Sequence, residues 1–423
     1  MPTVDAESAA LARCTSLDQR LVAAIRNIRL LQAVSWPATV QQRFLEDFRA
    51  GRGALPNPVY ERSDLSRERA ELIAIENEAD AQHPIGVYLR RSAESWRIAT
   101  ELLDSVGSAA VTAHSIRLYG RPGEKVPGAE LTNLDAARHF IELAGELDQE
   151  LLTSDADYCI PAEILKAELQ EQLDTFFQFH KIDVVIDPDL IAKAAAGPTR
   201  IRLRSATCFS EYDRHQLLEH EAFVHTLTGL NGREQPNLKS LGRSSPRVTA
   251  TQEGLAVFAE LMSGSIDIER MKRISLRIVA IHMALAGADF IQVFRFFLDS
   301  GQTDADSFGS AQRVFRGVPV GGGSAFTKDN VYLHGLLTVH TFFRWALRHR
   351  KLNLCRALFA GKMALHDVLS LEPYFASGYL AAPLYLPPWM KRANGLAGVL
   401  AFSLFANKIR VARVHAEDLV LGL

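Results

Sequence analysis

Apolar residues recur every three or four positions through the first part of the chain, as in Leu21, Ile25 and Ile28. This spacing is typical of amphipathic helices, and it extends over about residues 17–115. Two glycines and two prolines within residues 51–58 interrupt it and predict a loop. We therefore expect the chain to begin with helices that pack through one apolar face.

The pattern changes in the middle of the chain, after an expected linker or long loop at residues 119–128. Pro161, a residue favoured in a first helical turn, predicts a long helix that ends before the β-branched run 182–186. That run and the strictly alternating residues 201–204 predict two strands. Arginines occupy every second position of the later strand, and they suggest a sheet edge that faces solvent.

After residue 264 the pattern is again mostly helical. Residues 278–291 and 395–405 are the most apolar segments, and both are too short or too interrupted to span a bilayer. We expect buried core helices there and no transmembrane segment. The glycine-rich residues 316–323 lack the Gly-Lys-Ser or Gly-Lys-Thr of a phosphate-binding loop, so a flexible rim or lid is expected.

Composition and charge narrow the classes of protein to which the chain can belong. An apolar fraction of 48% and a charged fraction of 23% are ordinary for a soluble globular protein. The net charge of -2 argues against nucleic acid as a partner, since phosphate contacts need clustered lysine and arginine. No secretory signal is recognisable at the N-terminus, so a cytoplasmic location is expected.

The cysteines are widely separated and form no Cys-x-x-Cys pair, which favours reduced thiols over a disulfide framework. Cys208 is interpreted as a small buried hydrophobe rather than a catalytic thiol. The four cysteines are Cys14, Cys159, Cys208 and Cys355.

Two histidines, His220 and His225, lie five residues apart, and Glu221 directly follows the first. Ser210 and Asp213 resemble a capping box and predict that both histidines lie in the second half of one helix. Residues five apart on a regular helix differ by about 140° in direction, whereas residues four apart differ by about 40°. To aim both rings at one ion, the helix must absorb an extra residue near residues 222–224, through a π-bulge or local unwinding.

A third candidate ligand, Glu253, lies in the sequence Thr-Gln-Glu-Gly-Leu-Ala of a second predicted helix, which begins near Thr249 or Thr251. This start places Glu253 in the first turn, where a carboxylate also favours the helix dipole. Gly254 lowers helix propensity, so we expect another backbone or a ligand to approach it closely. His215 repeats the five-residue spacing and is interpreted as a surface residue or one that supports a ligand.

Two histidines, one carboxylate and an adjacent glutamate form the ligand set and base of a catalytic zinc site with a position open for water. A zinc-dependent hydrolase is therefore the leading hypothesis. A two-iron site is a rival, because Glu253 and Glu260 face one way, but it needs a Glu-x-x-His on each of two helices. A non-catalytic zinc-binding regulatory or interaction protein is a second alternative, although a structural zinc needs no adjacent base.

These motifs together resemble the bacterial QEGLA-motif family, named for a presumed effect on flavohaemoglobin expression. That family is similar to the microtubule-associated tyrosine carboxypeptidases, which are zinc enzymes, and the resemblance covers about residues 134–350. It implies that His220, His225 and Glu253 hold zinc, that Glu221 is the general base, and that a residue is removed from a peptide or protein C-terminus. A tubulin substrate is not expected, since the near-neutral chain has no obvious basic face.

Such a reaction also needs a group that stabilises the oxyanion and a fixed cation for the terminal carboxylate. We expect Tyr332 to serve the oxyanion and Lys328 or Arg316 to bind the carboxylate. Each of the three residues also has a purely structural interpretation. Tyr332 would be a packed aromatic, Lys328 a solvated residue paired with Asp329, and Arg316 a solvated charge in a loop. Further candidates for the cation are Arg243, Arg247 and Arg313.

The sequence thus predicts an α+β protein, predominantly α, with a zincin-like metallopeptidase core and a small sheet. Residues 1–118 are expected to form an N-terminal helical region and residues 119–265 the zinc-binding catalytic core. Residues 266–423 are expected to form a C-terminal helical region that completes the active site. The expected function is that of a zinc-dependent metallopeptidase, a carboxypeptidase that uses metal-activated water.

Overall fold

Helices make up most of the described chain, and one small sheet accompanies them. The computed structural model describes residues 4–147, 159–188, 190, 192–197, 199–205 and 207–409. Within these residues the protein is α+β and predominantly α, as the sequence predicts. None of the helices described there combines the length and the apolar character that a bilayer crossing requires.

The N-terminal part is built from helices that share one apolar core with the rest of the protein. Leu21, Ile25 and Ile28 are buried in this core, as their spacing predicts. The core includes residues from all three predicted regions, and the division into these regions stays a prediction. The helices are α1 (Val4–Ala24), α2 (Leu30–Ala33), α3 (Ala38–Arg49), α4 (Ser66–Glu78), α5 (Pro84–Asp104), α6 (Ala110–Tyr119) and α7 (Asn133–Glu146), with a 3-10 turn at Ile25–Asn27.

The sheet follows the next helix, and its described strands lie in the order β1, β3, β2. These elements are α8 (Ala162–Phe176), β1 (Asp183–Asp187), β2 (Ala194–Ala196) and β3 (Arg200–Arg204). Strand β3 pairs in parallel with β1 and antiparallel with β2, so the predicted edge position of residues 201–204 is wrong. Ile201 and Leu203 fill the core face while the arginines point away from it. Alternation of apolar and charged residues indicates which face of a strand is buried, but not whether the strand lies at the edge or the centre of its sheet.

One continuous helix contains the two histidines, and a second helix contains Glu253. The predicted capping box is confirmed, because Ser210 Oγ accepts a hydrogen bond from Asp213 N at 3.1 Å and the Asp213 carboxylate accepts one from Ser210 N at 2.9 Å. The elements are α9 (Glu211–Leu217), a π-helical segment (Leu218–Thr226), α10 (Leu227–Arg233), 3-10 turns at Lys239–Gly242 and Pro246–Val248, and α11 (Thr249–Ser263).

The C-terminal part is helical, but two expectations about it are wrong. Residues 278–291 do not form one helix, since Asp289 caps a new helix by accepting a hydrogen bond from Gln292 N. Residues 395–405 do form a helix, but Val399, Phe402 and Phe405 on it are exposed. The elements are α12 (Ile268–Leu285), α13 (Phe290–Asp299), α14 (Asp304–Phe315), α15 (Val331–Arg348), α16 (Leu352–Ala357), α17 (Leu365–Ser370), α18 (Glu372–Ala376), α19 (Pro388–Lys391) and α20 (Ala393–Ala406), with 3-10 turns at Thr327–Asn330 and Leu358–Ala360.

The glycine-rich segment 316–323 is hydrogen-bonded to the protein near both ends while Gly321 and Gly323 are exposed, and the expected flexible rim or lid stays a prediction. Gly317 N donates to the Tyr60 hydroxyl at 3.0 Å, and Gly323 N donates to the Ala284 carbonyl at 2.9 Å. Gly322 has a φ of 92° and lies so close to the Gly287 carbonyl that a Cβ atom would overlap it. Its glycines therefore permit tight packing and unusual backbone angles.

A disulfide joins Cys159 to Cys208, so the expectation that these thiols are reduced is wrong. The segments beside the two cysteines also pair through backbone hydrogen bonds between Ile160 and Phe209. Spacing along the chain does not reveal this pair, because the partners lie 49 positions apart. A cytoplasmic location stays a prediction.

Helices α11 and α15 cross with their backbones almost in contact at Gly254 and Gly335. A Cβ atom on Gly254 would lie 2.2 Å from the carbonyl carbon of Gly335, and one on Gly335 would lie 2.2 Å from the Ala250 carbonyl oxygen. The predicted close approach of another backbone to Gly254 is confirmed. Only residues without a side chain allow the helix of Glu253 to lie this close to α15.

We predict that Gly254→Ala lowers the free energy of unfolding by about 1–3 kcal/mol, because the added methyl group forces the two helices apart. Urea denaturation followed by circular dichroism measures the change. Gly145→Ala is the matched control, since no atom lies within 4 Å of a Cβ atom there and alanine favours a helix. Equal stability of the two variants would contradict the tight crossing.

Candidate metal centre and active site

The helix that carries His220 and His225 is π-helical over Leu218–Thr226. A π-helix forms hydrogen bonds from residue i to i+5, so each turn takes up about one more residue than an α-helical turn. Residues five apart consequently come to one side, and the two imidazole rings lie with their centroids 4.8 Å apart. The predicted distortion of the helix is confirmed, and it spans a wider segment than residues 222–224.

The structure brings His220, His225 and Glu253 together, with one donor atom of each within 4.8 Å of the others. Glu253 Oε2 lies 3.5 Å from His220 Nε2 and 3.4 Å from His225 Nε2. Tetrahedral zinc with ligand bonds of about 2.0–2.1 Å holds its donors about 3.3 Å apart. The spacing and chemistry of these three groups therefore fit zinc.

Glu253 is the fifth residue of α11 and does not lie in its first turn. A favourable interaction with the helix dipole therefore does not explain the carboxylate at this position. Its other oxygen, Oε1, accepts a hydrogen bond from Lys328 Nζ at 3.1 Å. Burial alone would raise the pKa of Glu253, but Lys328 and the two histidines outweigh burial and hold it well below its usual range. Glu253 is therefore ionised, as a metal ligand must be.

Glu260 supports His220 from the side away from the other candidate ligands. Its Oε1 lies 2.7 Å from His220 Nδ1, and Arg270 donates to both of its oxygens, at 3.0 and 3.2 Å. Burial opposes the charge on Glu260, yet Arg270 and His220 lower its pKa to about 2. This arrangement directs His220 Nε2 towards Glu253, and it explains why Glu260 faces the same way as Glu253 without joining the candidate ligands.

Without a metal, the same carboxylates favour a protonated His220. Burial alone would lower its pKa, but hydrogen bonds to Glu253 and Glu260 raise the pKa to about 10. A bound cation would need the neutral ring, so metal binding at this site would release a proton from His220.

Glu221 lies beside the candidate ligands and is held by the edge strand. Its Oε2 accepts a hydrogen bond from Ala196 N, in β2, at 2.9 Å. Thr226, at the end of the π-helical segment, donates to the neighbouring Gly197 carbonyl at 3.1 Å. Because β2 is an edge strand, the Ala196 amide is free to bind Glu221, and the residue after the strand makes a second contact with the helix.

Tyr332 lies in a group of cationic side chains behind Lys328. The Lys328 ammonium is 5.2 Å from the centre of the Tyr332 ring, and the Arg277 guanidinium is 5.9 Å from it. Arg313 Nη2 lies 3.5 Å from the Tyr332 hydroxyl. The same arginine forms a two-point ion pair with Asp329, at 2.5 and 2.7 Å. The phenol therefore lies one side chain away from Glu253, in a strongly positive environment.

Arg316 is buried near this group, and only 9% of it is exposed. Its side chain forms no hydrogen bond or ion pair with the residues that the structure describes, and Nε is a buried donor without a partner. Burial and the nearby Arg313 lower its pKa to about 10, although Asp329 opposes them. A buried cation of this kind is well suited to receive an anion from outside the protein.

Lys362 is a buried cation near the centre that sequence reasoning missed. Burial lowers its pKa to about 8, against the opposing charges of Glu253 and Glu221. Its ammonium donates to Ser244 Oγ at 3.0 Å, and its backbone N donates to the Leu241 carbonyl at 2.7 Å. No motif surrounds Lys362, and it lies more than one hundred residues beyond Glu253 in sequence.

Within the described residues, no hydrogen bond or ion pair joins His215, Arg243 or Arg247 to the candidate ligands. His215 is exposed and faces Glu211 on its own helix, as expected for a surface residue. Arg243 is exposed, and Arg247 forms a two-point ion pair with Asp367, at 2.5 and 2.8 Å. The ion pair with Asp367 already satisfies Arg247, whereas Arg243 stays a candidate.

Three clustered donors and a separately held glutamate thus form a candidate metal centre in a predominantly helical protein. The chain belongs to the microtubule-associated tyrosine carboxypeptidase family, whose model matches residues 42–408. This confirms the relation predicted from the motifs and extends it over most of the N-terminal helices. The family assigns carboxypeptidase-like activity to the chain. Comparison with curated proteins gives no match.

We predict that replacing His220, His225 or Glu253 by alanine reduces bound zinc from about one ion per chain to roughly a tenth of that, because three protein ligands are needed. Mass spectrometry of metals after dialysis measures the content. The exposed His215→Ala variant should keep its zinc. Full zinc content in Glu253→Ala would contradict this ligand set.

We also predict that Glu260→Gln weakens zinc binding by about 10–100-fold, because His220 loses the carboxylate that orients its ring. Competition with a fluorescent chelator measures the affinity. The exposed Glu142→Gln is the control for a carboxylate lost elsewhere. The substitution also leaves Arg270 buried without its partner, which lowers the stability of the protein. Melting temperatures of the metal-free proteins measure this loss of stability separately from the loss of zinc affinity. Unchanged affinity would contradict the supporting role of Glu260.

Proposed function

We propose that this protein is a zinc-dependent carboxypeptidase with a zincin-like core, which removes the last residue of a peptide or protein. The observation that carries the proposal is the cluster of His220, His225 and Glu253 beside a glutamate that is not among the three donors. Structural zinc sites usually close their shell and need no such base. Membership of a carboxypeptidase family supports the same reaction.

Zinc held by these three residues would supply a water of lowered pKa and would polarise the scissile carbonyl. Glu221, fixed by the Ala196 amide, accepts the proton of the attacking water and later delivers it to the leaving amine. The leaving amine belongs to the terminal residue, so one base serves both halves of the reaction.

Two further residues would complete the site. Tyr332 is proposed to donate its phenol hydrogen to the oxyanion that forms on the carbonyl. Arg316 is proposed to bind the terminal carboxylate, because its buried guanidinium has no partner among the described residues. Lys328 is already engaged by Glu253, and its favoured role is to hold that carboxylate in place.

We predict that Glu221→Gln lowers kcat by about 10²–10⁴-fold, because the amide cannot accept the proton. Zinc content should stay at about one ion per chain, since Glu221 is not a proposed ligand. The test is digestion of a peptide library with varied C-terminal residues, read by mass spectrometry. A wild-type protein that holds zinc but cleaves no member of the library would favour the regulatory alternative.

A further inference from the structure

Helix α20 is apolar on every side, but the protein covers only part of it. Residues 393–406 contain no charged side chain. Leu396 and Leu400 are buried, and α20 packs against α15 and α19. Four large apolar residues remain more than half exposed and form what we call the outer face: Val399, Phe402, Phe405 and, just after the helix, Ile409. A helix without a polar side is normally covered all round, so the outer face indicates a partner.

Cationic side chains lie at both ends of this helix. Lys391 and Arg392 precede α20, Lys408 follows it, and all three are exposed. The sequence contains no aspartate or glutamate from residue 373 to residue 409, and α15 contains none either. The helices that form this part of the surface are therefore apolar and positively charged, without acidic side chains of their own.

The surface of a membrane with anionic lipids has the matching chemistry. Its acyl chains accept apolar side chains, and its headgroup phosphates attract lysine and arginine at the rim of the same surface. The 14 residues of α20 extend about 21 Å, which is less than the roughly 30 Å thickness of a bilayer core. The helix can therefore lie along a membrane surface but cannot cross the bilayer.

A second copy of the chain fits the outer face less well. In an antiparallel pair of α20 helices, Lys408 of one copy would approach Lys391 and Arg392 of the other. In a parallel pair, each cationic end would meet the same end of its partner. Both arrangements bring like charges together around an apolar contact, which disfavours pairing.

We propose that the outer face of α20 attaches the protein to the surface of a membrane that contains anionic lipids. Phe402 and Phe405 enter the region beneath the headgroups, while Lys391, Arg392 and Lys408 bind the phosphates. The Arg344 guanidinium of α15 lies 2.8 Å from the side-chain amide of Asn407, next to Lys408, so α20 is held to the body of the protein. This attachment is independent of the proposed hydrolysis.

The test is flotation of the full-length protein with lipid vesicles, either of phosphatidylcholine alone or of equal parts phosphatidylcholine and phosphatidylglycerol. The protein should bind the anionic vesicles about tenfold more tightly, and added salt should weaken this binding. The double variant Phe402→Ser and Phe405→Ser should lose about tenfold in binding, because it removes the inserted apolar surface. Leu131→Ser, at a residue that is 61% exposed before α7, is the matched control and should bind as the wild type does.

A second pair of variants tests the contribution of charge. Replacing Lys391, Arg392 and Lys408 together by glutamine should reduce binding on anionic vesicles to about the level on neutral ones. The control variant has the same change in net charge at three exposed arginines in other parts of the protein and should keep its preference. These arginines are Arg43, Arg62 and Arg295.

The single variant Phe402→Trp tests insertion without removing apolar surface. Lipids brominated in their acyl chains should quench its fluorescence more strongly than that of the wild type. Absence of binding to anionic vesicles, or binding that survives loss of both phenylalanines at an unchanged melting temperature, would overturn the proposal. A dimer in sedimentation velocity that the double phenylalanine variant loses, without vesicle binding by the wild type, would instead assign the outer face to a second copy.

Discussion

Two imidazoles five residues apart can face one point only if the helix between them widens. The π-helical segment provides this widening, and its neighbours hold it in place. Glu260 positions His220 from behind, strand β2 binds Glu221 and Gly197 accepts a hydrogen bond from Thr226. π-helical turns have poorer intrinsic stability than α-helical turns and concentrate at functional sites. The surrounding contacts therefore maintain a backbone that the segment alone would not favour.

Glu260 and Glu253 are each paired with a buried cation, and each pair depends on an element from a different part of the chain. Helix α12 supplies Arg270 to Glu260, and the 3-10 turn before α15 supplies Lys328 to Glu253. Burial would otherwise favour the neutral forms of both glutamates. The close crossing at Gly254 brings α15 near enough for this second pair to form. The contact between Gly254 and Gly335 therefore also supports the ionised state of Glu253, because it brings Lys328 close to that carboxylate.

Local patterns in the sequence predict those features that depend on neighbouring residues. The helical class, the capping box at Ser210, the widened helix and the close approach at Gly254 are confirmed, because each follows from spacing or from one residue's conformational properties. Features that depend on distant partners are not predictable in this way. Strand β2 consists of alanines without alternation, Lys362 belongs to no motif, and the central position of β3 depends on which strands pair with it.

The bond between Cys159 and Cys208 encloses helix α8 and the entire described sheet in one covalent loop. Closing a loop of 49 residues restricts the unfolded chain by about 4 kcal/mol at room temperature in the chain-entropy description. The loop includes β2, whose backbone holds Glu221. In a thiol-rich compartment this restraint would be absent, and only non-covalent contacts would keep the strand against its helix. The compartment in which the chain resides thus sets how firmly its candidate proton acceptor is anchored.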